Sequence, residues 1–224
     1  MVTQGHPDSA PRWAQRALGA DGAARIEAAI GAAEAGTSGE IVPVLVRRSS
    51  TVGHVPLVGF TLLLLGVYLT DLPAYLAAWA GSHGLWLGVC WLVSAGLAMG
   101  LSRLDAVQRA LTPRPDQAHQ VELRAAVEFY ELEMSQTRGR TGILLFVSLM
   151  ERRAVVLADR AIALRLEPGI WQEVVDRMVA GVKRGDLAAG MVQAVERCGE
   201  LLSPHFPIAE DDVNELRNRL VVKE

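Results

Sequence analysis

Residues 142–158 read GILLFVSLMERRAVVLA, and the fold turns on this stretch. Two apolar, β-rich runs, Gly142–Ser148 and Arg153–Ala158, are joined by only Leu149–Arg152. So short a joint forces an antiparallel hairpin. Neither run alternates apolar with polar, so both faces are buried and helices must cover both sides of the sheet. Arg152 and Arg153 alternate across the turn, which sends one to solvent and the other toward the sheet end.

Helices are legible on either side. Asp116 starts one that runs to about Ser135, with Leu123, Val127, Tyr130 and Met134 along one face. Pro168, with its fixed φ, begins another. Its apolar stripe is Ile170, Trp171, Val174, Val175, Met178, Val179 and Val182, and Gly185 stops it. Asp186 caps the next, which turns Leu187, Met191, Ala194, Val195, Cys198 and Leu202 inward. Ser203-Pro-His-Phe-Pro closes the domain. Residues 208–224 read as a charged tail with a weak amphipathic pattern (Val213, Leu216, Leu220).

Upstream, Asp21 opens a helix to about Ala35, with Ile26 and Ile30 inward. Glu40–Val46, EIVPVLV, is a buried strand. Pro43 cannot donate to a ladder, so this strand is expected at an edge or with a bulge. Residues 1–20 contain no apolar signal-peptide core and read as a flexible tail, which Trp13 is not expected to dock.

Charge is distributed unevenly. The chain has 224 residues, 21% charged, with a net charge of −3. Between Ser49 and Ser102 the single charge is Asp71. This argues against a wholly soluble protein and against a polytopic transporter, since one block of this length holds at most two spans. The absence of a basic excess argues against a nucleic-acid partner. Residues 51–102 read as a transmembrane hairpin, with spans at about 55–72 and 85–101. Arg47, Arg48, Arg103, Arg109 and Arg114 flank it, and the connection 73–84 has no Lys or Arg. The positive-inside rule then puts both termini in the cytoplasm of an inner-membrane protein. Tyr75 and Trp79 suit the membrane–water boundary. Gly84, Gly88, Gly96 and Gly100 form a small-residue stripe on the second span. We favour packing of this stripe on the first span over homodimerisation.

Neither soluble segment is a domain alone. Residues 21–50 and 103–207 together form one discontinuous α/β domain: a small central mixed sheet sandwiched by helices, with the hairpin inserted after the first strand. Cys90 and Cys198 fall in different solvents, and no Cys/His spacing suggests a metal.

The segment TRGRTGILLFVSLMERRAVVLADRAI, Thr137–Ile162, resembles the TPM domain family, in particular its bacterial membrane-anchored branch with an inserted two-helix hairpin. Thr37-Ser38-Gly39-Glu40-Ile41-Val42, Leu111-Thr112-Pro113, Glu151-Arg152-Arg153, Ala158-Asp159-Arg160, Trp171, Gly185, Gly190 and His205-Phe206-Pro207 extend the resemblance over about residues 21–215. It implies an α/β sandwich. The functions it implies are scattered: acid phosphatase activity, assembly or repair of photosystems, receptor modulation, and divalent-cation binding at a carboxylate-lined sheet end. One departure bears on the last. Many members carry acidic residues before the strand that here begins at Gly142, whereas this chain has Arg138-Gly139-Arg140-Thr141, which repels a cation.

Two functional readings follow. A metal-dependent acid phosphatase acting on phosphate esters would use Asp159, Glu151 and Arg153 in catalysis. Glu40, Glu151 and Asp159 would hold calcium or magnesium. A non-catalytic module would bind a membrane protein or complex, assisting its assembly or maintenance, through Glu40, Arg138, Arg140, Thr141, Arg152 and Arg160. No GxSxG, P-loop or HExxH motif is present, and the five histidines are scattered. We favour the binding module. The two readings separate on whether Glu40, Glu151 and Asp159 face one cavity.

Overall fold

The computed structural model describes residues 11–50, 53–208 and 215–224. In chain order its elements are α1 (Arg12–Leu18), α2 (Gly22–Glu34), β1 (Glu40–Val46), α3 (Val55–Leu69), α4 (Leu72–Ala77), α5 (His83–Leu101), α6 (Asp105–Leu111), α7 (Arg114–Glu131), β2 (Gly142–Ser148), β3 (Arg153–Ala158), α8 (Arg160–Ala163), α9 (Trp171–Arg184), α10 (Leu187–Leu202) and β4 (Val221–Lys223). They fall into two units: residues up to Ser49 with those from Ala118 on, and Ser50–Gln117.

The first unit is an α/β sandwich around a four-stranded mixed sheet of order β3-β2-β1-β4. β2 and β3 form the expected antiparallel hairpin, with Leu145 opposite Val156. β1 runs parallel to β2, Glu40 facing Gly142, and parallel to β4. All seven residues of β2 are buried. On one face Ile41, Leu45, Ile143, Leu145 and Val147 meet α2, α9 and α10 in the larger core. On the other, Val42, Val44, Val46, Leu144 and Phe146 meet Val121 and Ala125 of α7. The side chain of Asp186 caps α10 by accepting from the Ala189 N–H at 3.1 Å, as the sequence predicts. Gly185 ends α9 at φ +75°.

Five features of the first unit differ from the sequence reading. First, β1 is an interior strand despite Pro43. The Glu40 N–H turns toward β2, while that of Ile41 turns away from it, to the Glu34 carboxylate at 2.9 Å. Alternation sends position 43 the same way as 41, and β4 pairs only with Val44–Val46. The missing donor therefore falls where no strand runs alongside.

Second, α7 buries the opposite face. Leu123, Val127 and Tyr130 are exposed, and Val121, Ala125 and Glu128 point inward. Glu128 is fully buried yet tolerated there because Arg124 and Lys223 pair with it. Met134 still reaches the core. The helix has ended at Glu131, and Glu133 at φ +54° turns the chain back.

Third, part of the expected tail 208–224 is a strand, β4. Fourth, within residues 1–20, α1 lays Ala14 and Leu18 in the larger core with Trp13 beside them. Residues 1–10 and Val213 lie outside those described. Fifth, Asp21 precedes α2 without a side-chain cap bond.

The second unit is built on α3 and α5. Cys90, Ser94 and Ala98 are the buried positions of α5, spaced four apart, and a Cβ on Gly59 of α3 would lie 3.8 Å from that of Ala98. Phe60 meets Trp91 edge to face, with centroids 6.5 Å apart. The glycine stripe is on the far side of α5: a Cβ built on Gly84, Gly88, Gly96 or Gly100 has no neighbour within 4 Å. Packing of that stripe on the first apolar helix is thereby overturned. Among the described residues one helix, His83–Leu101, is long and apolar enough to cross a membrane, and only 17% of it is buried. Val55–Leu69 is apolar but has 15 residues. It stops at Thr70 because Asp71 adopts a left-handed conformation at φ +46°, and α4 begins afresh, ending before Trp79.

Candidate functional site

The candidate residues separate to the two ends of the sheet. At one end β1 and β2 begin and β3 finishes. Glu40 pairs with Gly142, and the Asp159 N–H donates to the Gly142 carbonyl at 2.9 Å, so Glu40, Gly142 and Asp159 form one row across three strands. Gly142 is required there. A Cβ on it would lie 2.8 Å from the Met134 carbonyl oxygen.

The Glu40 carboxylate is buried and committed. Its Oε1 accepts from the Glu215 N–H at 3.0 Å and its Oε2 from the Leu216 N–H at 3.3 Å. The Glu215 carboxylate in turn accepts from the Arg138 N–H at 3.0 and 3.1 Å. This chain of bonds fastens the segment leading into β4 to the start of β1. Thr141 is structural as well: its Oγ1 donates to the Ser38 carbonyl at 2.8 Å, and its N–H donates to Thr137 Oγ1 at 3.2 Å. Thr37 Oγ1 donates to the Phe206 carbonyl at 2.6 Å, which explains the join between the Thr-Ser-Gly-Glu run and His205-Phe206-Pro207.

Asp159 is 7% exposed. Its Oδ1 accepts from the Arg160 N–H at 2.6 Å as the cap of α8. Its Oδ2 is buried with no hydrogen-bond partner among the described residues. Arg138 and Arg140, on the loop before β2, and Arg160, at the start of α8, are exposed. Arg140 takes φ +50°, a conformation uncommon for a side-chain-bearing residue, and its carbonyl accepts from the Ala161 N–H at 3.2 Å.

Glu151 sits at the opposite end, in the β2–β3 turn. Seven residues of strand put it roughly 20 Å from Gly142. Its Oε1 accepts from the Ser49 N–H at 3.1 Å and its Oε2 from the Ser148 hydroxyl, and Ser49 Oγ donates to Ser148 Oγ at 3.0 Å. Glu151 therefore holds the exit of β1 against the turn. Arg152, at φ +53°, is exposed and Arg153 is half-buried, the split expected across the turn.

The proposed metal set of Glu40, Glu151 and Asp159 is corrected by this placement. Two of the three share a sheet end, and the third is at the other end. Among the described residues no three His, Cys, Asp or Glu side chains gather to hold a metal. A catalytic grouping of Asp159, Glu151 and Arg153 fails for the same reason, because Asp159 is a sheet length away from the other two.

Sequence reasoning missed a cluster on α7. Glu128 and Glu131 take Lys223 between them, Arg124 bonds Glu128 at 2.9 Å, and the Arg124 Nη2 donates to the Glu224 carbonyl at 3.3 Å. The i, i+4 spacing of Arg124 and Glu128 was visible, but the three-residue strand carrying Lys223 has no sequence period to announce it.

Residues 107–201 match the TPM domain family. That match runs from α6 to α10 and leaves β1 and β4 outside it. The NMR structure of the BA42 protein from the psychrophilic bacterium Bizionia argentinensis is similar over 92% of this chain and 95% of its own. The TM-score is 0.56 and the identity 20%, a likeness of fold. No curated protein matches the chain. The TPM match covers both sheet ends at β2 and β3, and so covers Asp159, Glu151 and all five candidate arginines, Arg138, Arg140, Arg152, Arg153 and Arg160.

Proposed function

We propose that this TPM-family chain is a membrane-anchored module whose α/β unit binds another membrane protein or complex at the cytoplasmic face of the inner membrane, without catalysing hydrolysis. The carrying observation is the surface of the second unit. α3 and α5 turn Leu57, Leu62, Leu65, Leu69, Leu92 and Met99 outward, and no charged residue lies in either helix. Water penalises such a surface at about 25 cal/mol per Å², whereas lipid does not. α5 is about 28 Å long and matches the hydrocarbon core; α3, at about 22 Å, reaches across with its flanks or by local thinning of the bilayer. Arg47, Arg48, Arg103, Arg109 and Arg114 favour the cytoplasmic side for both flanks.

Binding is favoured over phosphatase chemistry because two of the three carboxylates that hydrolysis would use are engaged elsewhere and the three do not converge. Glu40 and Glu151 each accept two hydrogen bonds, and both loops they hold would loosen if a metal displaced those donors. Exposed Arg138, Arg140, Arg152 and Arg160 at the two sheet ends offer donors to an acidic partner surface.

Membranes carrying the full chain are to be washed with alkaline carbonate and assayed for hydrolysis of an aryl phosphate with calcium, magnesium, manganese or zinc. Retention in the pellet with no turnover is expected. Release into the wash overturns the anchor. Metal-dependent turnover lost in Asp159→Ala restores the phosphatase reading.

A further inference from the structure

We propose that β3 is a pairing edge and that its partner is β3 of a second copy of this chain, the two sheets joining into one. The proposal does not depend on whether α5 crosses a membrane.

Among the described residues β3 is the outermost strand on its side of the sheet. Sheet edges are ordinarily guarded by brevity, proline, lysine or a bulge, because their unpaired backbone groups template further strands. β4, at the other edge, follows that rule with three residues ending in Lys223. β3 does not. Between Arg153 and Asp159 it reads Ala-Val-Val-Leu-Ala, with no charge, no proline and a regular register against β2.

The backbone direction fixes one self-pairing. The Asp159 N–H points at β2, so by alternation Leu157 and Val155 also face β2, while Ala154, Val156 and Ala158 turn their N–H and C=O groups outward. Two antiparallel copies centred on Val156 set Val156 opposite Val156, and Ala154 opposite Ala158 twice. Every outward group then meets its complement. Centring on Val155 would place Ala158 against Arg152, which is in a left-handed turn, and centring on Leu157 would place Ala154 against Arg160, which is in α8. Only the Val156 register uses all three outward residues. That register also sets Arg153 of each copy opposite Asp159 of the other, an opposite-charge pair at both ends.

The test uses the full chain in detergent micelles at one chain or fewer per micelle, with mass measured by light scattering. A dimer is expected. Val156→Pro removes an N–H that faces away from β2, so the hairpin keeps its own bonds. It is expected to weaken association tenfold or more with an unchanged circular dichroism spectrum. Arg153→Glu leaves the backbone intact, sets like charges opposite each other, and is expected to weaken association severalfold. Register is read by oxidation in a Cys90→Ser background. Cys198 stays silent because burial pushes its thiol up to about 12. Facing Cα atoms of a hydrogen-bonded pair lie about 5.5 Å apart, within disulfide reach. Val156→Cys is therefore expected to cross-link to itself, and Val155→Cys and Leu157→Cys are not. A monomer at every concentration, or a dimer that Val156→Pro and Arg153→Glu leave unchanged, overturns the proposal. So does cross-linking at all three positions alike.

Discussion

Lys223 of β4 places its Nζ between two carboxylates of α7, bonding Glu128 and, at 2.7 Å, Glu131. Glu128 has no exposed surface, so this lysine and Arg124 are what make its charge tolerable inside the smaller core. Lys223→Met would leave Glu128 with Arg124 alone. A loss of about 2–3 kcal/mol is expected in urea unfolding, short of the full cost of stranding a buried charge.

The same contact sets a pH window. Hydrogen bonding and charge from Lys223 hold Glu131 below its ordinary 4.5. Its contribution is therefore present above that value and lost as pH falls through the lowered one. Burial alone would lower Lys223, but its bonds to Glu128 and Glu131 outweigh burial and raise it above 10.5. That contribution is complete below 10.5 and disappears as pH climbs through the raised value. The stability gap between the native chain and Lys223→Met should be widest between these limits and narrow on both sides, as denaturation at stepped pH would show.

Gly181 and Gly190 let α9 and α10 touch backbone to backbone. A Cβ on Gly181 would lie 2.7 Å from the Gly190 Cα, and one on Gly190 would lie 2.8 Å from the Gly181 Cα. Neither neighbour is a side chain that can swing away. Alanine at either position is expected to cost about 2–3 kcal/mol, measurable as a fall in melting temperature.

The two faces of α5 should answer differently to bulk. Leucine at Gly88 or Gly96 meets open space on that helix, and the melting temperature in detergent is expected to stay within a degree or two. Leucine at Ala98, packed against Gly59, is expected to lower it clearly, in keeping with an overpacking cost of about 1–3 kcal/mol.

On α7, Leu123→Gln and Val127→Gln are expected to change stability by less than about 0.5 kcal/mol, since both side chains are exposed. Val121→Ala, on the buried face, should cost about 1–2 kcal/mol. The opposite ranking in chemical denaturation would return the helix to the face that its apolar count favours.

This last contrast shows where sequence reading succeeded and where it stopped. The β2–β3 hairpin, the six inward residues of α10 and the Asp186 cap were legible because each is decided within a few residues: a short joint, a helical period, one side chain near one N–H. The face of α7 was not, because it is chosen by Lys223, far along the chain. Pro43 pointed to an edge strand and the sheet order overturns that, because β4, far along the chain, covers the far half of the same strand. The candidate site was legible only as a set of polar residues at strand ends. The antiparallel hairpin alone separates Glu151, in its turn, from Asp159, at its open end; which of them Glu40 joins depended on the parallel pairing of β1 with β2, which no local signal reveals.

β1 pairs on both sides with strands that a ribosome makes later, β2 first and β4 last. At typical elongation rates the wait for β2 is on the order of 5–20 seconds. Through that interval Glu40–Val46 is an apolar ribbon without partners, and Pro43, unable to donate, makes it a poorer template for misassembly with neighbouring chains. Successful biogenesis of this protein thus hinges on chaperones, or on the emerging chain itself, shielding a seven-residue strand until its second half is translated.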